Sequence, residues 1–167
     1  MDWNSRAYGL APFKDGAHLS GLDFMRKIAS GEYPDPPICK QLTFRLVEVG
    51  EGFAVFEGET GPHLANPMGS VHGGWALTLI DSATGVAAHT TLPPGKIHTT
   101  IETKANFSRP IRPDAGKTRC EARVVSAGRT LISCEAKVLD ASGKVLAHGT
   151  STIMVLDSPK WRVGDGL

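Results

Sequence analysis

Apolar and polar positions along the chain fall into two kinds of pattern. From Ser70 to Thr91 apolar and small residues follow one another with little polar interruption, and Asp81 is the only residue of the run with a full charge at neutral pH. A helix that is apolar on nearly every side belongs inside a protein. The run therefore predicts a long buried helix with one carboxylate at its middle, ended by Leu92-Pro93-Pro94-Gly95. A shorter helix is predicted upstream, where Ser20 can cap it, Leu22, Met25 and Ile28 recur at helical spacing, and Gly31 can end it. Pro34, Pro36 and Pro37 then impose an extended link. This short helix either closes one end of the core or forms a lid over a substrate opening.

Elsewhere the period is nearer two. Residues 42–49 and 53–59, joined by Gly50-Glu51-Gly52, read as a β-hairpin, and residues 97–108, 117–127, 130–139 and 144–156 read as four further strands. In the third of these, Ile132, Cys134, Ala136 and Val138 alternate with Ser133, Glu135 and Lys137, so one face is buried and one is wet. Cys134 is then a small core residue. Long strands in succession predict an antiparallel meander, and one apolar helix laid against it gives a two-layer α+β fold with the sheet wrapped around the helix. The expected organisation is an arm and short helix over residues 1–37, loosely held over 1–19, a domain over 38–158, and a tail over 159–167.

Composition narrows the picture. A chain of 167 residues suits one core, and a formal charge of +1 with no basic block gives no electrostatic case for nucleic acid or an anionic membrane. Asp81 interrupts the longest apolar run, and the amino terminus has no signal-like apolar segment, so a cytoplasmic location is expected. Cys39, Cys120 and Cys134 stand in none of the paired spacings of zinc or redox sites, and His63, His89, His98 and His148 form no ligand grouping, so no metal is expected.

The chemistry centres on Asp81. A buried unpaired charge is costly enough to have a partner or a task. Nine residues separate it from His72, about two and a half turns, so the two side chains leave opposite faces of the helix ~13 Å apart along its axis. Two copies of the helix packed antiparallel would bring the His72-Gly73-Gly74 end of one beside Asp81 of the other, which predicts a homodimer with shared sites. The first N–H groups of a helix are free and lie at its positive end, and glycine at 73 and 74 leaves them unshielded by side chains.

The run Asn66-Pro67-Met68-Gly69-Ser70-Val71-His72-Gly73-Gly74, the helix with Asp81, the stretch from Thr99 to Pro110 and Gly128-Arg129-Thr130 together resemble the hotdog-fold acyl-CoA thioesterases, most of all those of the phenylacetate pathway and the Arthrobacter type that acts on 4-hydroxybenzoyl-CoA. The resemblance covers roughly residues 38–156. It implies that Asp81 is the catalytic carboxylate, as nucleophile or as general base on water, that Gly73 of the other subunit donates its N–H to the thioester carbonyl, and that Asn66 and His72 position that end. It implies that Thr100 stands where some relatives hold the attacking water, and that dimers pair into tetramers. Gly85, four residues after Asp81, departs from relatives with a further hydroxyl on the helix.

The expected activity is hydrolysis of an aryl or short- to medium-chain acyl-CoA to free acid and coenzyme A, with no cofactor beyond the coenzyme A of the substrate. Arg109, Arg112 and Arg129 are candidates for gripping its phosphates, or are ordinary solvated surface. Each remaining candidate also has a plain reading: Asp81 as a structural acceptor, His72 as a loop-ordering group, Asn66 as a turn residue and Thr100 as an ordinary strand residue. A non-catalytic acyl-CoA-binding module and a hydratase of the same fold are the competing functions, and Trp75 and segment 20–31 are candidates for limiting the acyl group.

Overall fold

The computed structural model describes residues 5–12 and 16–157; the predicted tail lies outside the described residues. The short helix α1 (Gly21–Ser30) is built as its punctuation suggests: Ser20 accepts from the Asp23 N–H at 3.1 Å, and Gly31, at φ +86°, returns its N–H to Ile28 O. Its apolar stripe of Phe24, Met25 and Ile28 is buried. The expected extended link ends at Pro36, because Pro37–Gln41 forms a further short helix, α2. Proline suits the first helical position, where the N–H it lacks would have no intrahelical partner.

Strands β1 (Phe44–Gly50) and β2 (Phe53–Glu59) form the predicted hairpin, followed by the long helix α3 (Gly73–His89) and by β3 (Lys96–Phe107), β4 (Lys117–Ala127), β5 (Leu131–Leu139) and β6 (Val145–Asp157). All six strands join one antiparallel sheet in the order β1-β2-β4-β5-β6-β3. The fold is thus α+β, but the simple meander is corrected. After the hairpin, β4, β5 and β6 run as neighbours in succession, while β4 turns back to β2 and β3 lies at the far edge against β6. The cause is the connection after β3. Its Arg109-Pro110-Ile111-Arg112-Pro113 segment cannot make a tight hairpin, and it buries Ile111, whose carbonyl accepts from the Val71 N–H ahead of α3.

Helix α3 packs against all six strands. Leu79, Ile80, Ala83 and Ala87 are fully buried, and the predicted alternation of β5 holds, with Cys134 in the core. The helix is not enclosed on every side, however. Leu77, Thr78, Asp81, Ser82 and Val86, at helical spacing, form a half-buried stripe along one side of it.

The amino-terminal arm is less loose than its aperiodic sequence suggests. In its described part, Arg6 pairs with Asp35 through two nitrogens, at 2.9 and 3.1 Å, and also donates to Ile28 O, while Tyr8 bridges the backbone at Asp35. Asp35 is almost completely buried. Among the described residues no helix is long and apolar enough to cross a membrane.

Candidate active site

The start and the middle of α3 carry the candidate chemistry. At its start, His72 is the N-cap, and its Nδ1 accepts from the Gly74 N–H at 2.9 Å. The Gly74 N–H is thereby occupied, whereas among the described residues the Gly73 N–H has no partner within the chain. The Phe107 ring lies against Gly73, where an added Cβ would meet its Cζ at 3.1 Å. Glycine at 73 thus keeps a narrow approach to a free backbone donor.

Asn66 works one step further out. Its side chain accepts from the Met68 N–H at 2.9 Å and the Ser70 N–H at 3.3 Å, and donates to Ser70 Oγ at 2.9 Å. These bonds form a closed turn that delivers the chain to the helix start.

Two and a half turns along, Asp81 lies on the half-buried stripe, with Oδ1 accepting from Thr103 Oγ1 at 3.1 Å. Thr103 is 3.0 Å from Ser151 Oγ, which is 2.7 Å from Thr84 Oγ1. Ser151 and Thr84 are buried, so the carboxylate terminates a line of hydroxyls running into the core. Among the described residues Oδ2 has no hydrogen bond and is the oxygen left for chemistry.

Asp81 opens onto a cavity of about 230 Å³. Met25 and Ile28 of α1, Ile38 and Cys39 of α2, and Phe44, Leu46 and Phe56 of the hairpin supply apolar walls. Along α3 the lining continues through Ser82, Gly85 and Val86, opposite His98 and Thr100 of β3. Helix α1 therefore belongs to the core and also bounds the cavity. Trp75 does not line it; its Nε1 donates to Leu42 O at 2.7 Å and its ring is buried. Cys39 is buried in the wall, and burial pushes its thiol up to about 12, so it is an inert lining residue.

Thr103 carries a contact that strand alternation alone does not suggest. Counting by twos from His98 and Thr100 puts it on the far face, but a β-bulge between Thr100 and Glu102 shifts the phase and returns it to the helix side. Thr100 lines the same cavity near Gly85, while the direct bond to Asp81 comes from Thr103. His98 also enters the site, with Nδ1 3.0 Å from Nδ1 of His89. Burial pulls His98 down to about 4, against the opposing field of Asp81, and pulls His89 down to about 3, so both rings are neutral near pH 7. No sequence signal joins these two histidines, which meet only because β3 turns back along the end of α3.

Within one chain the two groups stay apart: His72, Gly73, Gly74 and Asn66 gather at the start of the helix, and Asp81 and Thr100 gather midway. Arg109, which donates to Val145 O at the start of β6, and Arg129, beside Thr130 whose carbonyl accepts from the Val155 N–H near the end of β6, lie at opposite ends of the sheet. Arg112 is exposed and paired to Asp114. One chain does not bring these arginines together.

The thioesterase superfamily model matches residues 68–147, the segment from the helix start through β5 and into β6. A 1,4-dihydroxy-2-naphthoyl-CoA hydrolase of Listeria monocytogenes is 28% identical over 110 residues, 66% of this chain and 88% of its own. A protein of Saccharolobus solfataricus, provisionally named an esterase, is 30% identical over 119 residues, 71% of this chain and 83% of its own. Among solved structures, one from Ralstonia eutropha, provisionally named a thioesterase and described as phenylacetic acid degradation-related, superposes with a TM-score of 0.70 at 27% identity, covering 77% of this chain and 97% of its own.

Proposed function

The chain belongs to the thioesterase superfamily, and from that premise we propose that it hydrolyses acyl-CoA thioesters with Asp81 as the reacting carboxylate. The observation that carries this reading is the setting of Asp81: one oxygen fixed by Thr103, the other open, at the end of an apolar cavity sized for a modest acyl group. A carboxylate so placed either attacks the thioester carbon, giving a mixed anhydride that water then cleaves, or removes a proton from a water that attacks the same carbon. In both routes negative charge develops on the carbonyl oxygen, the C–S bond breaks, and the departing thiolate takes a proton to leave as coenzyme A. An oxyanion needs donors already aimed at it. The free Gly73 N–H, at the positive end of α3, has that character.

Gly73 and Asp81 of one chain are eight residues apart, ~12 Å along the axis, too far to act on one carbonyl. A second copy resolves this. The long edge of β3 exposes Ile101 and Phe107 and, among the described residues, pairs only with β6, which makes it suited to joining another chain. The half-buried stripe of α3 lies beside it. A two-fold dimer with the α3 helices antiparallel sets Gly73 of one protomer beside Asp81 of the other, and the proposed enzyme is such a dimer, open to further pairing into a tetramer.

The test is turnover of a thioester panel, with aryl, short, medium and long acyl groups, followed with a thiol reagent. Asp81→Asn keeps the shape and removes the charge; it is expected to lose at least about a hundredfold in kcat on the favoured thioester, the scale of a lost general base or more. Equal rates for wild type and Asp81→Asn on every member would end the assignment.

A further inference from the structure

The cavity beside Asp81 holds a second polar feature that the hydrolysis itself does not use. His98 turns Nε2 toward Gly85, where an added Cβ would stand 3.0 Å from that nitrogen and 4.0 Å from Thr100 Oγ1. Any larger residue at 85 would cover the imidazole; glycine leaves it facing the cavity that Gly85, His98 and Thr100 all line. Among the described residues Nε2 has no hydrogen-bond partner within the chain. The other ring nitrogen is committed, since the Nδ1–Nδ1 contact of 3.0 Å to buried His89 requires one ring to donate and the other to accept. Of the two tautomer pairings this contact allows, the one in which His89 donates through Nδ1 leaves His98 presenting Nε2–H to the cavity that Asp81 also lines.

Such a donor, in a cavity whose walls include Met25, Ile28, Phe44 and Val86, discriminates between ligands. A plain hydrocarbon chain strips it of water and offers nothing in return, whereas an acceptor oxygen restores the bond. Gly85 lies four residues beyond Asp81, ~6 Å along the helix. We propose that His98, oriented by His89, is a specificity-determining residue that selects acyl groups carrying an oxygen a few bonds beyond the thioester carbon. Thr100 flanks the same oxygen. This proposal rests on the thioesterase reading and adds the class of acyl group to it.

The experiment compares hexanoyl-CoA with its oxo analogue bearing the ketone on the penultimate carbon, two chains of equal length. Wild type is expected to favour the oxo thioester about tenfold in kcat/KM, the scale of one buried hydrogen bond left unmade. In His98→Leu the ratio falls to near one, and in His98→Gln, which retains a donor, part of it returns. A wild-type ratio near one, or a ratio unchanged in both variants, overturns the proposal. Calorimetric binding to Asp81→Asn separates this from the hydrolase reading. If no form of the protein cleaves any thioester, that reading fails, yet tighter binding of the oxo analogue that is lost in Asp81→Asn/His98→Leu upholds the subsite, and equal binding of the two analogues rejects it.

Discussion

Asp81 ends a line of hydroxyls in which each can donate to the next: Thr84 to Ser151, Ser151 to Thr103, Thr103 to Asp81. Aligned donors polarise one another, and the last bond holds the carboxylate in one orientation without neutralising it. Thr103→Val retains the branched shape and removes that bond. It is expected to lower kcat about tenfold, with KM nearly unchanged, because an oriented base matters more to the transition state than to ground-state binding. Steady-state kinetics on the preferred thioester decides, and a change in KM alone would show that Thr103 serves the cavity wall instead. At this scale the sequence is partly legible. A lone carboxylate in an apolar helical run, and a His-Gly-Gly at its start, stand out because both are costly unless used. Thr103 does not, since a bulge two residues earlier moves it to the helix side and nothing in the composition of β3 announces a bulge.

Between elements, the closest polar contact of α3 with β3 is the His89–His98 pair, and it carries a pH signature. Both rings have their pKa lowered on folding, to about 3 and about 4, chiefly by burial. Above the ordinary histidine pKa of about 6.5 both folded and unfolded chains keep these rings neutral, and stability is unaffected. As pH falls below that value the unfolded chain takes up protons that the folded one refuses, so stability drops progressively down to the folded values. Melting temperature is therefore expected to fall as pH goes from 7 to 4.5, and more steeply for wild type than for a His89→Leu/His98→Leu variant; parallel slopes would contradict the burial account.

Element boundaries were largely readable from Ser20, Gly31, the Pro93-Pro94-Gly95 stop and the alternation of β5, since caps, breakers and period are local properties. The place of β3 at the sheet edge was not. It depends on a proline-bearing connection crossing the helix start, a long-range choice that local pattern does not encode.

For the molecule as a whole, the arm and the assembly decide most. Arg6 clamps the nearly buried Asp35 and the end of α1, whose Met25 and Ile28 wall the cavity, so the amino-terminal arm braces the cavity. Arg6→Met leaves an uncompensated carboxylate in the interior and is expected to cost about 3 kcal/mol or more, read as a shift in urea midpoint. A shift near zero would mean that the arm is dispensable. This contact was invisible in an aperiodic stretch because ion pairs 29 residues apart leave no periodic trace.

The central claim is that each reacting centre is divided between two copies of the chain. It is tested most directly by mixing two inactive variants, Asp81→Asn and Gly73→Val, the second of which forces a side chain into the space occupied by the Phe107 ring. Co-expressed at equal levels, they should form mixed dimers with one intact site each and recover about one quarter of wild-type turnover, as random pairing of two-fold dimers requires. Activity no greater than that of the separate variants, with mixed dimers shown to be present, would contradict the account.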